Sequence, residues 1–179
     1  MTGHLFFSNA CQAPAKDPTS AKTGAAAFFD LPGYFEGEIE RLQSTKSVYK
    51  QVHFKDQQES TAVDNWNPEI DLQPFKDLTI NKSAWGDKYQ VDTLVSDTIG
   101  RYGIQYTALE DKLQIRDVQV WFQDERPTHI LVNKKIDTPI AETSQRLSYI
   151  ADQGFSISSE QSTFFNQGYE AGVEVRWEE

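Results

Sequence analysis

A single cysteine, Cys11, is the residue of this 179-residue chain with the most distinctive chemistry. The apolar stretch of residues 5–10 precedes it, and residues 12–27 after it carry alanine, proline, lysine, serine and threonine but no large apolar side chain. A short apolar run, a small residue and then a cysteine is the order found in bacterial lipoprotein precursors, whose cysteine thiol is acylated. The sequence therefore predicts lipidation of Cys11.

The segment around Cys11 departs from the usual lipoprotein signal. The box before the thiol reads Ser8-Asn9-Ala10, only ten residues precede the cysteine, and none of them is lysine or arginine. An ordinary signal has about 15–30 residues with a charged start. We expect residues 1–11 to be a truncated lipoprotein signal and lipobox, residues 12–27 a disordered linker, and residues 28–179 a single β-rich domain. The alternative is a cytoplasmic protein with a disordered N-terminus and an incidental free cysteine.

Other catalytic and metal-binding patterns are missing from the sequence. The histidines at positions 4, 53 and 129 have no spacing that brings two imidazoles onto one metal ion. There is no Gly-x-Ser-x-Gly motif and no phosphate-binding loop. Asp56, Glu59 and Asp64 lack the central glycine of a calcium loop, so a solvated hairpin turn is the simpler interpretation. Carboxylates are plentiful, but no spacing selects a pair for acid–base work.

Composition narrows the classes of partner. Twenty-seven acidic residues against 17 basic ones give a net charge of −10, which disfavours nucleic acid and adhesion to anionic lipid through a basic patch. One cysteine allows neither an internal disulfide nor a cysteine-based metal site. No run of 18 apolar residues occurs, so any membrane attachment is expected to be covalent lipid. We expect no cofactor and no bound metal.

Two helices are predicted before the β-rich part of the chain. Asp30 is placed as an N-cap, and Phe35, Ile39 and Leu42 follow at the spacing of one helical face, which predicts an amphipathic helix of about three turns. Asn67 is likewise placed as the N-cap of a shorter second helix. Pro74 is expected to break or kink that second helix.

The rest of the chain alternates between apolar and polar residues, as β-strands do. Residues 46–54 form one such segment, and seven more follow with turn-forming residues between them. We therefore expect an α+β, mainly β fold: a curved antiparallel meander of about eight strands, forming an open half-barrel with one long N-terminal helix and a short second helix. The alternative is a two-layer β-sandwich. The seven later segments are residues 89–96, 103–109, 113–123, 128–136, 143–151, 155–160 and 169–177.

Aromatic residues are the one set that suggests a contact surface. The chain has four tryptophans, seven tyrosines and eleven phenylalanines. On a curved sheet they would either line an apolar ligand site or fill a core. Trp85, Trp121 and Tyr149 are the candidate contacts with a ligand or partner. Trp121 stands out because alternation places it opposite the apolar residues of its own segment, where it either covers a second layer or is exposed.

Three stretches resemble a known group of proteins. Residues 29–42, 80–85 and 118–130 are similar to a group of uncharacterised lipoproteins from Bacteroidetes-type bacteria, and the likeness covers most of residues 28–177. The resemblance implies a curved antiparallel sheet, like that of the periplasmic lipoprotein-carrier proteins by analogy of fold alone. It implies no activity and no site residues.

These observations lead to three ranked functional hypotheses. The first is a non-enzymatic, lipid-anchored protein of the bacterial cell envelope, periplasmic or surface-exposed, that binds an apolar small molecule or an envelope protein. The second is a structural or interaction module with a filled core, and the third is a hydrolase-type enzyme that uses carboxylates. A continuous apolar cavity inside the sheet would favour a carrier, whereas full packing would favour an interaction module.

Overall fold

The computed structural model describes residues 28–163 and 168–177. Within them lie two α-helices, a 3-10 turn and nine β-strands. The predicted signal (1–11), the predicted linker (12–27) and Cys11 lie outside the described residues. The helices are α1 (Leu31–Leu42) and α2 (Pro68–Lys76), the turn is Ser83–Trp85, and the strands are β1 (Ser47–Phe54), β2 (Gln57–Asp64), β3 (Tyr89–Val95), β4 (Arg101–Ala108), β5 (Ile115–Gln123), β6 (Arg126–Asp137), β7 (Ala141–Ile150), β8 (Gly154–Thr163) and β9 (Tyr169–Arg176).

Helix α1 begins and packs as its sequence pattern predicts. The Asp30 carboxylate accepts a hydrogen bond from the Gly33 backbone N–H (3.3 Å), which satisfies one of the free donors of the first turn. Phe35, Ile39 and Leu42 are buried on the face toward the sheet. Burial of this apolar stripe is what fixes the helix to the sheet, since an isolated helix of 12 residues is marginal in water.

Helix α2 continues through Pro74, contrary to the expected break. The Asn67 side chain accepts from the Glu69 N–H (3.0 Å), and Pro68 occupies the first turn, where its missing N–H costs nothing. Pro74 lies in the last turn, only two residues before the helix ends at Lys76. Because so little helix follows the proline, burial of Phe75 outweighs the lost hydrogen bond.

All nine strands belong to one antiparallel sheet that does not close on itself. Strands β3 to β9 form a meander, and the β1–β2 hairpin joins it through pairing of β1 with β9, which gives the order β2-β1-β9-β8-β7-β6-β5-β4-β3. The prediction of an α+β, mainly β, open antiparallel sheet with two helices is confirmed. The sandwich alternative is wrong, because one face of the single sheet packs on the helices instead of a second sheet.

Of the nine described strands, β2 is the one that the sequence did not predict. Its residues were interpreted as part of a hairpin turn, whereas they pair along their whole length with β1, from Phe54 opposite Gln57 to Ser47 opposite Asp64. The turn itself is short and centres on Lys55, whose φ of 55° lies in the left-handed region. Six of the eight side chains in β2 are fully polar, so the strand buries little and shows no apolar alternation.

Both helices pack on the same face of the sheet, called here the inner face. Phe35, Phe75 and Tyr149 form an aromatic cluster at the centre of this core, with ring centroids 5.0–6.0 Å apart. The other face, called the outer face, has no layer over it among the described residues. None of the described helices is long and apolar enough to cross a bilayer.

Candidate functional site

The inner face is filled by side chains where the helices cross it. Leu31, Phe35, Leu72 and Phe75 of the two helices are all fully buried against the sheet. A large cavity lies instead on the outer face of the sheet. The helix-covered core is therefore closely packed where the two helices cross it.

Tyr149, one of the three predicted contact residues, is fully buried in β7 beneath α1. Its hydroxyl donates a hydrogen bond to the Glu38 carboxylate. Burial, followed by that hydrogen bond, raises the pKa of Tyr149 well above its ordinary value. No ligand reaches this hydroxyl without displacing α1, and a role for Tyr149 in ligand contact stays a prediction.

Glu38 is the centre of a polar network that ties α1 to the sheet. Its carboxylate pairs with the Arg41 guanidinium (Nη2 to Oε2, 2.8 Å), and the same nitrogen donates to the backbone carbonyl of Ala151 (2.5 Å). Glu38 itself is only 9% exposed. A buried carboxylate needs such partners, because an unpaired charge in a core costs several kcal/mol. Arg41 and Tyr149 supply these partners.

Trp85, the second predicted contact residue, lies in the 3-10 turn between α2 and β3. Its ring packs beside Tyr89 (centroids 6.3 Å apart), and the Lys82 ammonium stands over it at 4.3 Å from the ring centroid. The side chain is half-buried and packs against the core. These contacts account for its position without a ligand.

Trp121, the third, lies on the outer face, as alternation in β5 predicts. Its ring lies over Gly103 of the neighbouring strand, where an added Cβ would come within 3.0 Å of two ring carbons. The Arg101 guanidinium stacks at 5.1 Å from the ring centroid. Trp121 is therefore half-buried by its neighbours and covers no second layer within the described part of the chain.

Strand register places Trp121 in a row that crosses the whole outer face. Each member pairs directly with the next through the ladder, so their side chains stand side by side. We call this set the outer row. In order from one edge to the other it comprises Ala62, Tyr49, Arg176, Gly154, Ile150, His129, Trp121, Gly103 and Leu94.

His129 is the titratable member at the middle of the outer row. Its Nε2 lies 3.0 Å from the Ser148 hydroxyl. Burial, followed by the positive charges of Arg101 and Arg146, lowers the pKa of His129 below its ordinary value of 6.5. Within residues 28–163 and 168–177 no carboxylate pairs with the ring, so this histidine and serine lack the third group that orients a catalytic base.

One carboxylate of the outer face, that of Asp117, is engaged by neighbouring side chains. Asp117 accepts hydrogen bonds from the amide groups of Gln105 (2.6 Å), Gln119 (3.3 Å) and Asn133 (3.5 Å). Among residues 28–163 and 168–177, no group of three His, Cys, Asp or Glu side chains could hold a metal ion.

The cavity on the outer face is an open groove of about 940 Å³ at one end of strands β2, β1, β9, β8 and β7. Small side chains line much of it, among them Ala62, Ser148, Ser156 and Gly154. The aromatic ring of Tyr49 is 50% exposed beside them. This groove did not follow from the sequence, because only the strand register brings residues 47–64 next to residues 148–177.

The free edge of β3 is the second surface that the fold leaves open. Leu109 N donates to Lys88 O (2.9 Å) just before β3 begins. Since bonded and non-bonded pairs alternate in an antiparallel ladder, Val91, Thr93 and Val95 direct their backbone N–H and C=O groups away from β4. The side chain of Val95 is 87% exposed.

Comparisons with protein-family models, with curated proteins and with solved structures found no match to this chain.

Proposed function

We propose that this protein is a non-enzymatic interaction module of the bacterial cell envelope, tethered through lipid on Cys11, that binds an extended segment of a partner protein along β3. The observation that carries the proposal is an unpaired edge strand with exposed valines. Strand addition to such an edge is a recurrent mode of peptide recognition, in which main-chain hydrogen bonds give affinity and alternate side chains give specificity.

The apolar surface beside the edge supports this mode of binding. Val91 and Val95 extend from β3 on the inner-face side, and Tyr102 lies opposite Val95 in the ladder. Ile99, in the turn that follows β3, is 95% exposed. Natural proteins usually protect an edge strand with charge or with a covering loop, so an apolar edge left open is a signal of binding or of aggregation.

The opposite edge of the sheet provides a contrast within the same molecule. Strand β2 presents Gln57, Gln58 and Glu59 and exposes almost all its side chains. Polar and charged side chains of this kind discourage pairing with another strand. The difference between the two edges supports β3, rather than β2, as the binding edge.

Charge around β3 indicates the chemistry of the partner. Asp87, Asp92 and Asp97 lie in or beside the strand, and the whole chain carries a net charge of −10. Edge-to-edge pairing of two copies would bring these negative charges together, which opposes self-association. The segment that fits is an extended one with apolar residues alternating with lysine or arginine.

A peptide-binding experiment tests the proposal. The probe is a labelled peptide of alternating valine and lysine with the same length as β3, 7 residues, titrated against the full chain and followed by fluorescence anisotropy. We expect saturable binding that Thr93→Pro weakens about tenfold, because proline removes a donor from the free edge. The same peptide N-methylated at alternate residues should bind no better than background.

Two further variants separate binding from folding. Val95→Ala removes apolar contact without changing the backbone and should also weaken binding. Ile140→Ala, an exposed apolar residue in the β6–β7 turn, is the matched control and should leave binding unchanged. Equal affinity of the wild type and both β3 variants, or no saturable binding by the wild type, would overturn the proposal.

A further inference from the structure

The groove on the outer face is long enough to hold a chain molecule. It is lined by residues of five adjacent strands, β2, β1, β9, β8 and β7. Neighbouring strands lie about 4.8 Å apart, so four intervals give a length of about 19 Å across the strands. A ligand of this shape spans several strands and is not a single small ion.

Side-chain size explains why a trough exists here. Ser148 and Ser156 are direct cross-strand partners, and Gly154 lies opposite Arg176 in the next row. These short side chains leave a low stretch of the outer face beside Ile150, and Arg176 stands between that stretch and Tyr49. Small residues between large ones leave room that a bound chain can fill.

Most of the charged side chains in the groove form ion pairs. Arg176 pairs with Glu174 (2.5 Å), and Asp152 pairs with Arg126 outside the groove (2.9 Å). What remains for a ligand are hydroxyl groups, the amide of Gln153 and the carboxylate acceptor of Asp64. This set suits a neutral molecule with many hydroxyl groups, because it offers hydrogen bonds without a strong net charge.

The exposed ring of Tyr49 adds evidence for a ligand. The ring of Tyr49 is half-exposed, although burial of such a ring is favourable. Trp177 also borders the groove, but its ring packs on the inner face against Trp66 (centroids 5.6 Å apart), so Tyr49 is the aromatic surface available to a ligand there.

We infer that this groove binds an extended neutral oligosaccharide, with Tyr49 as the surface on which one sugar ring packs. The C–H groups on one face of a pyranose are complementary to the negative face of an aromatic ring, and its hydroxyl groups match the serine, amide and carboxylate groups of the trough. The inference uses a different face from the β3 edge and holds whether or not that edge binds a protein.

Calorimetric titration of the full chain with three neutral tetrasaccharides tests the inference. The probes are cellotetraose, maltotetraose and N-acetylated chitotetraose, which differ in linkage and in substituents. We expect at least one to give saturable heat. Tyr49→Ala should weaken that binding about tenfold or more, whereas Tyr49→Phe, which retains the ring, should preserve it.

Tyr102→Ala is the matched control, since it removes a partly exposed tyrosine from the other face of the sheet. It should leave sugar binding unchanged, and Thr93→Pro should do the same. The inference is overturned if no tetrasaccharide binds up to about 10 mM, or if Tyr49→Ala binds as tightly as the wild type. Thermal unfolding of each variant confirms that the fold is intact.

Discussion

Glu38 and Tyr149 show how a single buried contact connects distant parts of this chain. Helical periodicity assigns Glu38 to solvent, between the apolar positions of α1, yet the side chain turns into the core and accepts the Tyr149 hydroxyl. The two residues are 111 positions apart in sequence. Their contact fixes the rotation of α1 on the sheet, because a buried carboxylate has few other places where its charge is compensated.

Removing the Tyr149 hydroxyl is expected to destabilise the domain. Tyr149→Phe keeps the ring but leaves Glu38 with one fewer donor, which should lower the free energy of unfolding by about 1–3 kcal/mol. Urea denaturation measures the change. Tyr169→Phe removes a hydroxyl from a partly exposed ring and should change stability by less than about 0.5 kcal/mol. Equal effects of the two substitutions would show that the network adds nothing.

His129 is expected to make stability fall at mildly acidic pH. Its folded pKa is lower than its ordinary value of 6.5, so the unfolded chain binds the proton more tightly. The contribution to stability is complete above about pH 6.5 and is lost as the pH falls through that value toward the lowered folded pKa. Urea denaturation between about pH 8 and pH 5 should show a smaller decline for His129→Gln than for the wild type. Parallel curves would contradict the expectation.

The candidate contact residues differ in how well sequence alone could place them. Alternation in β5 was enough to put Trp121 on the outer face, because neighbouring positions of a strand point to opposite sides. The same reasoning could not tell that Arg101 and Gly103 partly cover it, since they come from another strand. Tyr149 was selected for its aromatic character, and the packing of α1 over it depends on contacts across the whole domain.

At the scale of elements, the sequence predicted most of the fold because its signals are local. The Asp30 cap, the apolar stripe of α1 and the alternation of seven later segments each fall within a dozen residues. Strand β2 was not predicted because its side chains are mostly polar on both faces, so its sequence shows no alternation of apolar and polar residues. The pairing of β1 with β9 was not predicted, because no local sequence pattern indicates which distant strands pair.

The cap of α1 provides a test at this scale. Asp30→Ala removes the acceptor for the Gly33 N–H and should lower the free energy of unfolding by about 1 kcal/mol. Asp30→Asn retains an acceptor oxygen at the cap and should recover most of the loss. Urea denaturation of both variants measures the difference. If Asn is as destabilising as Ala, the hydrogen bond to Gly33 is not what stabilises the helix start.

At the scale of the whole molecule, attachment to a membrane rests on the proposed lipid at Cys11. We expect Cys11→Ala, expressed in the original host, to move the protein from the membrane to the soluble fraction, because the substitution removes the thiol that would carry the proposed lipid. Immunoblotting of the two fractions measures this. Asp30→Ala serves as the control for a destabilised but lipidated chain, and unchanged fractionation of Cys11→Ala would remove the lipoprotein hypothesis.

The placement of β9 between β1 and β8 has a consequence for biogenesis. The β1–β2 hairpin is synthesised before the other strands. Its partner in the sheet, β9, is the last of the described strands to leave the ribosome. Its side chains in β1 and β2 bury little alone, and a two-stranded hairpin is marginal in water. Long-range closure of this kind slows folding. The β1–β2 hairpin is therefore expected to join the described sheet later than strands β3 to β8, which pair with their neighbours in sequence.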